Sequence, residues 1–297
     1  MKKISFIIIL FAMVSSADGQ LPVKWEELTA PEFVRAVEKS KQVCVVPLGV
    51  MEKHGPYMPL GTDLLVVREA VVTAAEKEYV VVFPEFYAGQ INEAKHQPGT
   101  IAYSPDLVMR LLEETCDEIA RNGFTKIILV NGHGGNTGML AYFNMAILNK
   151  KKNYAVYHTS VGGKYTDEQQ KNKVEEEYKK TGEKVGGHAG ATEAASIMMF
   201  RPDLLKLDYK TDENGDPKGR LEHLTMVSTG IWWYADFPNQ YAGDSKKATK
   251  ELGEALRTAS INSLVKAYQE VKEDSVTLKL LDKFYKDSEN PLKTQAE

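Results

Sequence analysis

Two kinds of apolar pattern alternate along this chain: short continuous runs of β-branched residues, and longer stretches in which apolar residues recur at helical spacing. Residues 43–50 (VCVVPLGV) are apolar throughout and meet Gly49 near their end, the pattern of a strand buried on both faces. A helix is expected over residues 64–79, followed by a second strand at 80–83 that Pro84 stops. Ser104-Pro105-Asp106 supplies a capping residue and a first-turn proline, so a helix starts there and runs to about Asn122, where Gly123 ends it. A third strand follows at 126–130, a helix at 137–150, a strand at 154–159 and a short helix at 191–200, closed by Arg201-Pro202. Strands and helices alternate in this way when helical crossovers join parallel strands, so the pattern predicts an α/β fold.

Three stretches depart from the pattern. Residues 164–184 are crowded with Glu, Lys and Gln and read as a solvated helix or a flexible insertion. Residues 206–220 form a second polar insertion that turns at Asn214-Gly215-Asp216-Pro217. The chain opens with Lys2 and Lys3, an apolar run from Ile4 to Val14, and then Ser15-Ser16-Ala17, the order of a secretory signal peptide over residues 1–19. That run is shorter than the roughly 20 residues a spanning helix needs, so export to a periplasmic or secreted location, without a stable membrane anchor, is expected. No Pro/Ser/Gly-rich linker interrupts residues 20–297, which implies a single domain.

Composition adds exclusions. With 43% hydrophobic residues and a formal charge of −4, the chain can bury a core but has no basic surface for a phosphate backbone, so nucleic acid is not an expected partner. The only cysteines, Cys44 and Cys116, fall in a strand-like and a helix-like run, and read as two free buried thiols.

The chemistry collects in loops. Glu52, His54 and Asp63 lie within twelve residues of a Gly- and Pro-rich segment that leaves the first strand, where α/β sheets place their ligands. Taken alone this could be a polar surface loop. The third strand runs into Asn131-Gly132-His133-Gly134-Gly135-Asn136, which could hold a metal through His133 or cradle a phosphate at a helix N-terminus; the lack of Lys disfavours phosphate. In Gly187-His188-Ala189-Gly190-Ala191-Thr192-Glu193, the Glu could be a metal ligand or a helix-dipole partner. Of only six histidines, His54, His133 and His188 all fall in Gly-containing loops, which a structural accident does not predict. Carboxylate and imidazole together suit Zn²⁺ or Mn²⁺. Trp232-Trp233-Tyr234 concentrates aromatic area that could serve a core, a subunit contact or a pocket wall.

These segments, together with His96-Gln97-Pro98-Gly99-Thr100-Ile101 and, more weakly, Gly243-Asp244-Ser245, closely resemble the creatininase, or creatinine amidohydrolase, superfamily over roughly residues 28–256. The resemblance implies a three-layer α/β/α hydrolase with a mainly parallel sheet, two divalent ions per chain, a small-molecule amide substrate and a homo-oligomer, a hexamer by likeness to the family. Carried over by position, Glu52 and His133 bind one ion, His54 the other, and Asp63 bridges both. Creatinine-hydrolysing members place a Glu where this chain has Gly135. Glu193 is then the replacement ligand, and creatinine itself is placed in doubt. Tyr57 stands where many members have His. His188 matches the family's catalytic histidine and is expected to shuttle protons. His96, Tyr57, Trp232 and Trp233 are candidates for contact with substrate. The expected function is amide hydrolysis; its rivals are deformylation of a formamide, opening of a lactam or lactone, or an exported binding protein without turnover.

Overall fold

A computed structural model describes residues 21–184 and 187–294; the leader-like segment 1–19 lies outside them. Four strands, β1 (Val43–Leu48), β2 (Val81–Val82), β3 (Lys126–Asn131) and β4 (Ala155–Ser160), form one sheet in the order β2-β1-β3-β4, with every pairing parallel. All six residues of β1 and of β3 are buried, which explains why those segments are apolar almost without interruption.

Alternate strand residues feed two different cores. Cys44, Val46, Leu48, Ile127 and Leu129 pack against α1 (Ala30–Lys39), α3 (Pro105–Arg121) and α4 (Asn136–Ala146). Val43, Val45, Ile128 and Val130 pack on the opposite side against α2 (Thr62–Lys77) and α8 (Lys250–Glu273). The period-two alternation of a strand thus builds the three-layer α/β/α arrangement. In α3, Val108, Leu112, Cys116 and Ile119 make a single buried stripe behind the expected Pro105 start. At the C-terminus of α8 the ammonium of Lys126 donates to the carbonyls of Val271 and Asp274, at 2.8 and 2.6 Å, tying β3 to the helix end whose dipole favours a cation.

Several boundaries differ from the sequence pattern. β1 ends at Leu48 because the Gly49 N–H turns to the Phe86 carbonyl, and β2 has only two residues. α2 starts two residues earlier than expected, at Thr62, which puts Asp63 in its first turn. α4 ends at Ala146, with a 3-10 turn over Ile147–Asn149 completing the stretch. The acidic-basic stretch contains α5 (Glu168–Thr181), capped by the Asp167 carboxylate and burying only Val174. Residues 206–220 contain no helix or strand. After α6 (Ala191–Met198), the structure adds α7 (Trp232–Asp236), α8 and α9 (Thr277–Ser288), none of which the strand-helix alternation predicts. Cys44 and Cys116 are free and buried, as expected, and burial pushes both thiols up. Among the described residues no helix is long and apolar enough to cross a membrane.

Candidate metal centre

The loops that leave β1 and β3 start side by side, since Leu48 and Asn131 are register partners and the Gly132 N–H donates to the Leu48 carbonyl at 2.8 Å. Two glycines let the first turn of α2 settle over these strand ends. A Cβ on Gly49 would stand 2.7 Å from the Leu64 nitrogen, and one on Gly132 would stand 2.8 Å from Val67 Cβ and 2.9 Å from the Asp63 carbonyl. This close approach brings Asp63 to the carboxyl edge of the sheet, between the loops.

There, Glu52, His54, Asp63, His133 and Glu193 come together as two triads that share Asp63. In the first, His133 Nδ1 lies 2.9 Å from Glu52 Oε1 and 2.9 Å from Asp63 Oδ2. In the second, His54 Nε2 lies 3.1 Å from Asp63 Oδ1 and 3.7 Å from Glu193 Oε2. Two ligands about 2.1 Å from one ion at a right angle stand about 3 Å apart, so the first triad already has the spacing of a coordination shell. Glu52 Oε1 and Asp63 Oδ2 are buried and receive no aligned hydrogen bond, which is the condition expected of oxygens directed at a cation.

Backbone carbonyls set the histidine tautomers. The Gln90 carbonyl, 2.9 Å from His133 Nε2, can only accept, so the ring proton of neutral His133 sits on Nε2 and Nδ1 presents a bare lone pair to the carboxylates. The Glu52 carbonyl, 3.2 Å from His54 Nδ1, does the same for His54 and leaves Nε2 bare. Without a cation, both rings hold on to protons. Burial alone would lower His54, but the Asp63 and Glu193 carboxylates outweigh it and raise the ring to about 10. Burial is likewise outweighed at His133, chiefly by Asp63, so that ring stands well above its ordinary value. Asp63 is pushed up by burial and pulled further down by His54 and His133, and remains ionised. Burial raises Glu193.

His188 sits against the second triad. Its ring centroid is 4.4 Å from that of His54, its Nε2–H donates to the Lys53 carbonyl at 2.8 Å, and Glu52 Oε2 lies 3.6 Å away. Glu52, His54 and His188 could together form a further metal-binding group, but the Lys53 carbonyl already takes the His188 Nε2 proton. The Trp233 and His188 rings stand nearly perpendicular with centroids 5.8 Å apart, and Trp233 donates Nε1–H to Gln240. Trp232 is 53% exposed and packs edge-on against Trp233. His96 is outside the three groups: its Nε2 donates to the Pro238 carbonyl at 2.7 Å and its ring meets Tyr234 edge-on. Tyr57 is buried against Tyr241, with the Lys246 ammonium over its ring. It lines a cleft of about 300 Å³ with Glu213, Asp244 and Lys247 that contains none of the five triad residues.

Sequence reasoning missed the carbonyls of Gln90 and Lys53, which carry no side-chain signal. It also assigned no role to Asn131 and Asn136, although both flank His133. Asn131 Oδ1 accepts the His133 N–H at 3.0 Å, and fully buried Asn136 accepts the Gln90 N–H at 2.9 Å, holding the loop whose carbonyl fixes the imidazole.

A parallel α/β sheet carrying a buried imidazole–carboxylate cluster at its strand ends is the arrangement of a metal-dependent hydrolase. The family model for creatininase, described as creatinine amidohydrolase, matches residues 26–268, and the chain belongs to that family. It is 32% identical over 234 residues to the mycofactocin precursor peptide peptidase of Mycolicibacterium smegmatis, covering 77% of this chain and 85% of that protein. It is 28% identical over 116 residues to the creatinine amidohydrolase of Pseudomonas putida, covering 37% of this chain and 45% of that enzyme, so this match spans less than half of the Pseudomonas protein. Two solved creatininases, a manganese form and a mutant of Zn-Zn type, each align with a TM-score of 0.71 at 20% identity, over 85% of this chain and 99% of theirs.

Proposed function

We propose that this chain hydrolyses a carbon–nitrogen amide bond, cyclic or linear, with two divalent ions, Zn²⁺ or Mn²⁺, at the triads that share Asp63. The observation that carries this reading is the Asp63 carboxylate: it is buried and offers one oxygen to each triad, each beside a histidine nitrogen left bare by a backbone carbonyl. Glu52, Asp63 and His133 would hold one ion, and His54, Asp63 and Glu193 the other. When bound, such a pair brings the deprotonation of water to near-neutral pH and polarises the carbonyl under attack.

The protein's own contribution is position and proton traffic. The Lys53 carbonyl fixes the His188 ring through Nε2 and leaves Nδ1 to take a proton and return it to the amide nitrogen, which departs poorly unless protonated. Trp233, its ring nearly perpendicular to that of His188, supplies apolar wall.

A peptidase relative covers 77% of this chain, which favours linear amides over creatinine. Gly135 supports the same preference. A Cβ there would fall 2.5 Å from His133 Nε2 and 2.9 Å from the Gln90 carbonyl, so the Glu expected of creatinine-hydrolysing relatives has no room beside the present imidazole. The test is a panel of short peptide amides, formamides, lactams, lactones and creatinine, given to Zn²⁺- and Mn²⁺-loaded protein. Release of amine from an amide, abolished by a chelator, is the expected result. Turnover restricted to formamides or lactones would move the chain to those reactions, and metal-loaded protein inert on the whole panel would be a binding protein.

A further inference from the structure

The turn that carries His188 and Glu193 into the centre is gripped from outside. Ala189, between the histidine and the helix, has φ of 60° and is fully buried. A residue with a Cβ stays in that left-handed region only where its surroundings hold it there. Residues 241–245 do the holding. The Ala242 N–H donates to the His188 carbonyl at 2.9 Å, and the hydroxyl of Ser245 donates to the Ala189 carbonyl at 2.6 Å. The Ser245 N–H in turn donates to the Tyr241 hydroxyl at 3.2 Å, and Ser245 is itself completely buried. On its other side, Ala189 donates its N–H to Glu193 Oε2 at 2.6 Å, and that oxygen is the one 3.7 Å from His54.

We propose that Ser245 is a positioning residue whose hydroxyl, clamped on the Ala189 carbonyl, holds the turn that aims Glu193 and His188 at the second triad. Without the hydroxyl a buried carbonyl loses its partner, and the left-handed residue is free to relax. Relaxation about Ala189 swings the 189–190 peptide that leads into α6, and Glu193 shifts away from the Ala189 N–H that fixes its Oε2. The first triad is built from the β1 and β3 loops and the first turn of α2, so it lies outside this clamp.

This inference rests on the two-ion reading, and Zn²⁺ titration calorimetry on the full chain separates the two. Wild type should bind two ions. Ser245→Ala should weaken one of them roughly tenfold or more and leave the other within about twofold, the usual size of an outer-shell loss. Ser245→Thr, which keeps the hydroxyl, should recover much of the lost affinity. If Ser245→Ala does not fold, Tyr241→Phe removes the acceptor of the Ser245 N–H and should give the same selective loss at smaller amplitude. Unchanged affinities at both sites, or equal losses at both, would overturn the role of Ser245. A wild type that binds fewer than two ions would overturn the two-ion reading and this role with it.

Discussion

At the scale of single residues, the centre is a set of protons waiting to be exchanged for cations. Metal-free His54, raised to about 10, and His133, also raised, are charged at neutral pH and must lose protons before they can ligate. Their charge stabilises the metal-free fold fully below about pH 6.5, and that contribution is lost as pH climbs toward 10. Metal affinity should therefore rise between pH 6 and 8, about tenfold per unit for each proton displaced, with proton release measurable by calorimetry in buffers of different ionisation enthalpy. Affinity that is flat over this range would mean that the rings are already neutral. His188 should behave differently from the ligands: His188→Ala should keep its ions and lose roughly 10²–10⁴-fold in kcat, the usual worth of positioned proton transfer. Asp63→Ala should lose ions first and activity as a consequence. Loss of an ion from His188→Ala would instead make His188 a ligand. The side chains of this centre were legible because histidine and carboxylate in Gly-rich loops stand out from any core pattern. The carbonyls of Gln90 and Lys53 were not legible, because every residue has a carbonyl and only the fold selects which one faces an imidazole.

At the scale of elements, the centre depends on how closely α2 approaches the ends of β1 and β3. Gly49→Ala would press a methyl into the backbone of Asp63 and Leu64, and should cost roughly 1–3 kcal/mol of stability as well as metal affinity. Gly138→Ala is the matched control. It lies at an exposed position of α4 with nothing within 4 Å of the added carbon, and should gain about 0.5–1 kcal/mol from helix propensity. Thermal melts of both variants decide the matter, and a harmless Gly49→Ala would show that the contact is slack. The buried strands β1 and β3 could be read from sequence because both faces demand apolar residues. α8 was harder. It packs against α2, α5, α6 and β1 at once, buries Gly253, Ala255, Ala259 and Ser260 along with Leu264 and Tyr268, and so shows no simple polar face. β2 was overestimated because Val80 is buried in the core without joining the ladder.

At the scale of the molecule, we propose that the chain is exported and acts as a homo-oligomer. The basic-apolar-small order of residues 1–19 supports export, and mass spectrometry of protein from its own host should find a mature N-terminus near Asp18 or Gln20. Intact Met1 in the cytoplasm would defeat this. Met226, Val227, Ile231 and Trp232 stand exposed within one stretch, which supports a subunit contact, and light scattering should give several chains per particle where a monomer is the contrary result. The central proposal is a carboxylate, Asp63, shared between two cation sites at the carboxyl edge of a parallel sheet. Elemental analysis of metal-saturated protein, counted per chain, tests it most directly. Two ions are expected in wild type, falling toward one in Glu193→Ala, while a wild type that saturates at one ion would mean that Asp63 bridges nothing.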